Sequence, residues 1–213
     1  MIKSTDRIKI DYFNIEGTPG GSQNWFTDFW MHIGGCGALA ACDLAICLSK
    51  NLGFSDCFPY NPRKLTKEQY ISFAMMMKSY IRPRIGGVTK TSVFTAGFGK
   101  YLRDCGYEPR FAVCQGEEDY VKACRFVKAA LAHNLPIAYL MLHHTDKRYD
   151  NLSWHWFVIT GYERKNGRIM LTYHTYGGVY KVDLYGLWHT GKRWKGGMVA
   201  VAGLKKVPEE QIP

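Results

Sequence analysis

Two residues far apart in the chain are of types that could do covalent chemistry together, Cys36 and His155. Gly34-Gly35-Cys36-Gly37 opens an Ala/Leu-rich run in which Leu39, Ala40, Asp43, Leu44, Cys47 and Leu48 recur at helical spacing. The paired glycines suit a tight backbone turn, and Ala and Leu propagate a helix well. Cys36 is therefore expected at a helix N-terminus, where free N–H groups and the macrodipole stabilise an anion and lower a thiol's pKa. The competing reading is a small buried cysteine beneath a close helix crossing, inert because it is buried. His155 opens the run Trp154-His155-Trp156-Phe157-Val158-Ile159-Thr160-Gly161-Tyr162, which has the composition of a strand. Its imidazole could take the thiol proton, provided the fold brings helix and strand together. A structural histidine between two tryptophans is the alternative.

Other polar clusters carry less. His143-His144 with Asp146 and Asp150 could be read as metal ligands, but adjacent histidines on an extended chain point to opposite sides, and no partner spacing supports the site. No metal and no cofactor is expected. Lys192-Arg193-Trp194-Lys195 offers charge with a stacking ring, yet no nucleic-acid motif accompanies it, so a solvated loop is the preferred reading and no nucleic-acid partner is expected.

The elements that must position these residues follow from periodicity. The stretch up to residue 33 reads as an irregular entry, with a short strand-like alternation at Ile8, Ile10 and Tyr12 and the loop Gly17-Thr18-Pro19-Gly20-Gly21-Ser22. Gln23, Asn24, Trp25 and Phe26 then bring amides and aromatics close to Cys36 in sequence. Asn51 and Gly53 stop the Cys36 helix. Thr66 and Gln69 form a capping-box pattern for a helix over about 66–81, and further helices are predicted over about 89–104 and 117–133. A strand is expected at 109–113. The last third turns to sheet, with strands at 136–142, 153–161, 168–176, 179–184 and 198–202 and a hairpin turn at Gly177-Gly178. Helices first and a mostly antiparallel sheet afterwards make an α+β fold, read as one domain.

Composition bounds the function. The 213 residues are 46% hydrophobic and 15% aromatic, enough for a sizeable core. No apolar run is long enough to span a membrane, and the start, Met1 to Arg7, lacks the apolar core of a signal peptide. The seven cysteines (36, 42, 47, 57, 105, 114, 124) include no C-x-x-C pair, so reduced thiols in a cytoplasm fit better than a disulfide framework. A net charge of +10 suits an acidic partner approached by electrostatic steering.

Gly35-Cys36-Gly37 with Ala40-Ala41, then Leu135-Pro136-Ile137, then His155 through Tyr162, then Tyr176-Gly177-Gly178, resembles the papain-like cysteine peptidase superfamily. The branch it is most similar to is that of the bacterial peptidases that cleave double-glycine bacteriocin leaders. The resemblance spans about residues 20–190. It implies a two-lobed fold, with a helical lobe over about 20–133 carrying the cysteine and a sheet lobe over about 134–205 carrying the histidine. It also implies Cys36 as nucleophile and His155 as base. The family orients its histidine with Asp or Asn on the next strand, and aligning on the Gly-Gly turn puts His174 there. The family's oxyanion glutamine, six residues before the cysteine, falls on Trp30, which leaves Gln23 or Asn24 as the nearby amide. The activity so implied is hydrolysis of a peptide or acyl-amide through a thioester acyl-enzyme. The alternative is an N-acyltransferase moving an acyl group from an acidic acyl carrier protein to an amine, which the missing carboxylate would impair less.

Overall fold

The helix that opens at Cys36 runs through the middle of the molecule, and every residue from Cys36 to Leu48 is buried, Asp43 included. A helix apolar on all sides is one that other elements surround. In the computed structural model, which describes residues 6–208, those elements form in chain order as follows. Met1–Thr5, on which part of the signal-peptide reading falls, lie outside the described residues. The entry supplies strand β1 (Arg7–Lys9) and a small hairpin of β2 (Asn14–Ile15) and β3 (Thr18–Pro19). Helix α1 (Phe29–Gly34), capped by the Asp28 side chain on the Met31 N–H, leads straight into α2 (Cys36–Leu52). Then come α3 (Lys67–Met77), α4 (Thr91–Asp104), β4 (Tyr107–Gln115), α5 (Tyr120–Ala132), β5 (Ile137–Met141), β6 (His155–Lys165), β7 (Arg168–Thr175), β8 (Gly178–Asp183), α6 (Leu184–Trp188) and β9 (Gly196–Lys206).

The α+β reading holds. The main sheet has seven strands in the order β4-β9-β5-β6-β7-β8, with β1 added alongside β6, and all its pairs are antiparallel. The capping box at Thr66 and Gln69 forms as expected, and α3 ends earlier than the periodicity suggests.

Two cores lie on opposite faces of this sheet. Ala138, Leu140, Trp156, Val158, Val199 and Val201 face α2, α3 and α4. Their alternating neighbours Ile137, Tyr139, Phe157, Ile159, Met198 and Ala200 face the other way, toward α5 and α6. A strand buried on both faces reads as a continuous apolar run, which is why residues 136–142 show no alternation in sequence. The layout differs in one respect from helices followed by sheet. Strand β4 and helix α5 fall within the stretch assigned to a helical lobe, yet β4 pairs with β9 along its whole length and α5 covers the far face.

The entry to α2 also differs from a glycine turn. Gly35 has ordinary helical angles, φ −79° and ψ −4°, so it is not there for conformational freedom. It is there for proximity, because a Cβ on Gly35 would sit 2.4 Å from the Met31 carbonyl oxygen, and one on Gly34 2.6 Å from that of Arg84. The paired glycines let α1 and the 82–88 loop close around the first turn of α2.

Candidate active site

Cys36 is the first residue of α2, and its N-cap, Gly35, has no side chain to occupy the free N–H groups of the first turn. The sulfur lies within reach of the backbone N–H groups of Trp156, Gly37 and Cys36 itself. These donors favour a thiolate, but burial outweighs them and pushes the thiol's pKa above its ordinary value. The expectation that the helix start lowers this pKa is therefore overturned in the resting protein. Removing the sulfur from water costs the charged form more than the helix N-terminus returns.

His155 is the first residue of β6, entered through Trp154 at a positive φ of 54°. Its Nε2 lies 2.6 Å from the Thr175 hydroxyl, and Tyr176 stacks on its ring at 4.8 Å with the planes 3° apart. Burial lowers its pKa to about 4, so at neutral pH the imidazole is uncharged. Thiol and imidazole are thus both uncharged at rest, and they line the same cavity without a direct hydrogen bond between them. Nε2 is engaged with the Thr175 hydroxyl, which leaves Nδ1 as the other ring nitrogen.

Cys36 and His155 line one small cavity together with Gln23, Asp43, His174 and Thr175. Its volume is about 20 Å³, room for one water molecule. Gln23 sits on a short 3-10 turn, Gln23–Trp25, and its Nε2 donates to the His32 carbonyl at 2.5 Å, which ties the amide to α1. The second N–H on Nε2 is free for another acceptor. Its Oε1 is buried and unpaired among the described residues. Asn24 is exposed and lines no part of the cavity, so of the two candidate amides the structure brings only Gln23 to the site.

His174 does not orient His155. The register pairs His174 with Val158, so it shares Val158's face of the sheet, while Thr175 shares the face of His155. His174 Nε2 instead meets the Thr160 hydroxyl at 3.0 Å, and its ring stacks on Tyr12 at 3.9 Å. The alignment on the glycine turn is one residue out, and one residue along a strand is a change of face. Burial holds the His174 pKa at about 4, and its Nδ1 is buried and unpaired among the described residues.

Beneath the pair lies a polar group that helical spacing alone does not single out. Asp43, two turns along α2 from Cys36, accepts hydrogen bonds from Tyr12 at 2.5 Å and Tyr70 at 2.7 Å. Burial raises its pKa to about 7 against the lowering effect of those two bonds. Tyr12 thus links Asp43 to the ring of His174.

The remaining polar clusters are engaged elsewhere. His144 contacts the Gly186 carbonyl through Nε2 and the Asp146 N–H through Nδ1, and Asp146 pairs with Arg148. No group of three potential metal ligands occurs among the described residues. Trp194 in the basic 192–195 loop is exposed. All seven cysteines are free. Among the described residues no helix is long and apolar enough to cross a membrane. No family model matches the chain, and no curated protein matches it.

Proposed function

We propose that the chain is a papain-like cysteine hydrolase of two lobes, the α2 side facing the sheet, that cleaves a peptide or acyl-amide through a Cys36 thioester. The observation that carries this reading is the convergence of Cys36, at an uncapped helix start, and His155, held by Thr175, on one small cavity. The seven free thiols fit a reducing compartment such as the cytoplasm.

The neutral pair sets the order of events. As the Cys36 sulfur attacks the carbonyl carbon, His155 Nδ1 takes the thiol proton, and the C–S bond forms. The carbonyl oxygen gains the charge and receives hydrogen bonds from the Cys36 backbone N–H and the free Nε2–H of Gln23. Collapse breaks the C–N bond, and the imidazolium gives its proton to the leaving nitrogen. Water, deprotonated by the same imidazole, then attacks the thioester, releasing the acid and restoring the thiol. The imidazolium formed midway is held by a Thr175 hydroxyl, which offers less than a carboxylate would.

That substitution favours a second reading, transfer of an acyl group from a carrier thioester to an amine. A thioester is a better acyl donor than an amide and asks less of the triad, and the +10 charge would attract an acidic carrier protein. Intact-protein mass spectrometry after incubation with a small acyl thioester tests the shared step. An acyl adduct on Cys36, absent from Cys36→Ala and weak in His155→Ala, is expected; no adduct would refute both readings. Scoring free acid against amide in the presence of mixed amines then separates hydrolysis from transfer.

A further inference from the structure

A cavity of about 490 Å³ has Trp154, the residue before His155, as one of its walls. The volume falls in the range of small-molecule pockets. Leu140 and Leu142 at the end of β5 form an apolar surface, and the Trp194 side chain adds a second indole. Lys90 and Lys195 bring two cations to the lining against one carboxylate, Glu117. The cavity also meets the start of α4, whose first turn holds no acidic residue.

We infer that this cavity receives the amine side of the substrate, and that the group received is an apolar amino-acid unit with a free carboxylate. The inference rests on the roles proposed for Cys36 and His155. An imidazole that returns its proton to the leaving nitrogen must have that nitrogen's substituents beside it. On one flank His155 is covered by the parallel ring of Tyr176 and held by Thr175. The large cavity lies toward β5 and β9, on the side of β6 away from β7, with Trp154, the chain neighbour of His155, in its wall. There the apolar side chain meets Leu140, Leu142 and the indoles, and the carboxylate meets the ammonium groups of Lys90 and Lys195. The same site would hold an amino-acid acceptor if the acyl group is transferred, so the recognition chemistry is common to both reactions.

Binding can be measured without turnover, using full-length Cys36→Ala and isothermal titration calorimetry. The probes are N-hexanoyl-L-phenylalanine and its C-terminal amide, identical but for the charge. The acid is expected to bind about tenfold tighter than the amide, from one charge-assisted contact. Lys90→Ala and Lys195→Ala should each weaken the acid by roughly three- to tenfold and leave the amide unchanged, and raised salt should narrow the gap. Equal binding of acid and amide, insensitivity to both lysines, or binding of neither compound would overturn the assignment. Because the wild-type acyl adduct on Cys36 is read separately, loss of that adduct and loss of carboxylate selectivity are distinct failures.

Discussion

Replacing Asp43 by Asn removes the one ionisable group inside α2's buried stretch other than thiols, and the structure fixes what that should do. The Asp43 carboxyl is held at about 7 against an ordinary value of 3.8. Between those values the folded protein keeps the proton that the unfolded chain has lost. Stability from this group therefore falls as pH rises from about 4 to 7 and is level beyond. Three units correspond to roughly 4 kcal/mol in all. His155 and His174 act in the opposite sense, since burial holds both at about 4. Their contribution is lost as pH falls from 6.5 toward 4, so the wild-type profile alone cannot isolate Asp43. The difference between variant and wild type does. An Asn accepts from one tyrosine hydroxyl through Oδ1 and donates to the other through Nδ2, close to what the protonated acid does. Urea unfolding at pH 5 and pH 8 should show the variant gaining on the wild type by roughly 3 kcal/mol across that interval. Parallel profiles for the two proteins would refute the assignment of a buried, proton-holding carboxyl at this position.

Three further outcomes are expected. Thr175→Val removes the hydrogen-bond partner of His155 Nε2, and kcat should fall by roughly three- to tenfold, the worth of one neutral hydrogen bond. His174→Phe, which keeps the ring against Tyr12, should cost less; a loss as deep as Thr175→Val gives would return His174 to the role the glycine alignment assigned it. Native-state iodoacetamide labelling followed by peptide mapping should modify the partly exposed Cys124 before Cys36 below pH 8, because burial raises the Cys36 thiol's pKa. Preferential labelling of Cys36 at pH 7 would instead mean a thiolate–imidazolium pair.

Much of the scaffold is written in local periodicity. The spacing from Leu39 to Leu48 gives α2, the Thr66/Gln69 box starts α3, and the apolar run at 137–141 is a strand because both of its faces are covered. What local pattern does not carry is which face a strand residue occupies once pairing begins. Thr175 was legible in principle, since it has the same parity as Tyr173 and the opposite parity to His174, but the register with Val158 decides which parity meets His155. Helix α1 has only six residues, too few to show a period, and it reads as loop. Asp43 fits the helical spacing of α2 as any residue would. Its significance comes from Tyr12 and Tyr70, which only the tertiary fold brings near it. The thiol's pKa departs from the sequence expectation because a helix start is visible in sequence and the depth of its burial is not.

The pairing of β1 with β6 has a bearing on how the molecule is made. Strand β6 carries His155 at one end and at the other receives Arg7, Ile8 and Lys9 opposite Glu163, Tyr162 and Gly161. The first described strand thus waits for a partner synthesised some three-quarters of the chain later, and α2 is complete long before the histidine exists. Contacts of such separation form late, because a long loop must close before they return any energy. During synthesis the emerging Cys36 helix has no imidazole to face and no sheet to lie on. The same event that buries its apolar surface delivers His155, so the cavity that Cys36 and His155 share is assembled only when the whole chain has come together.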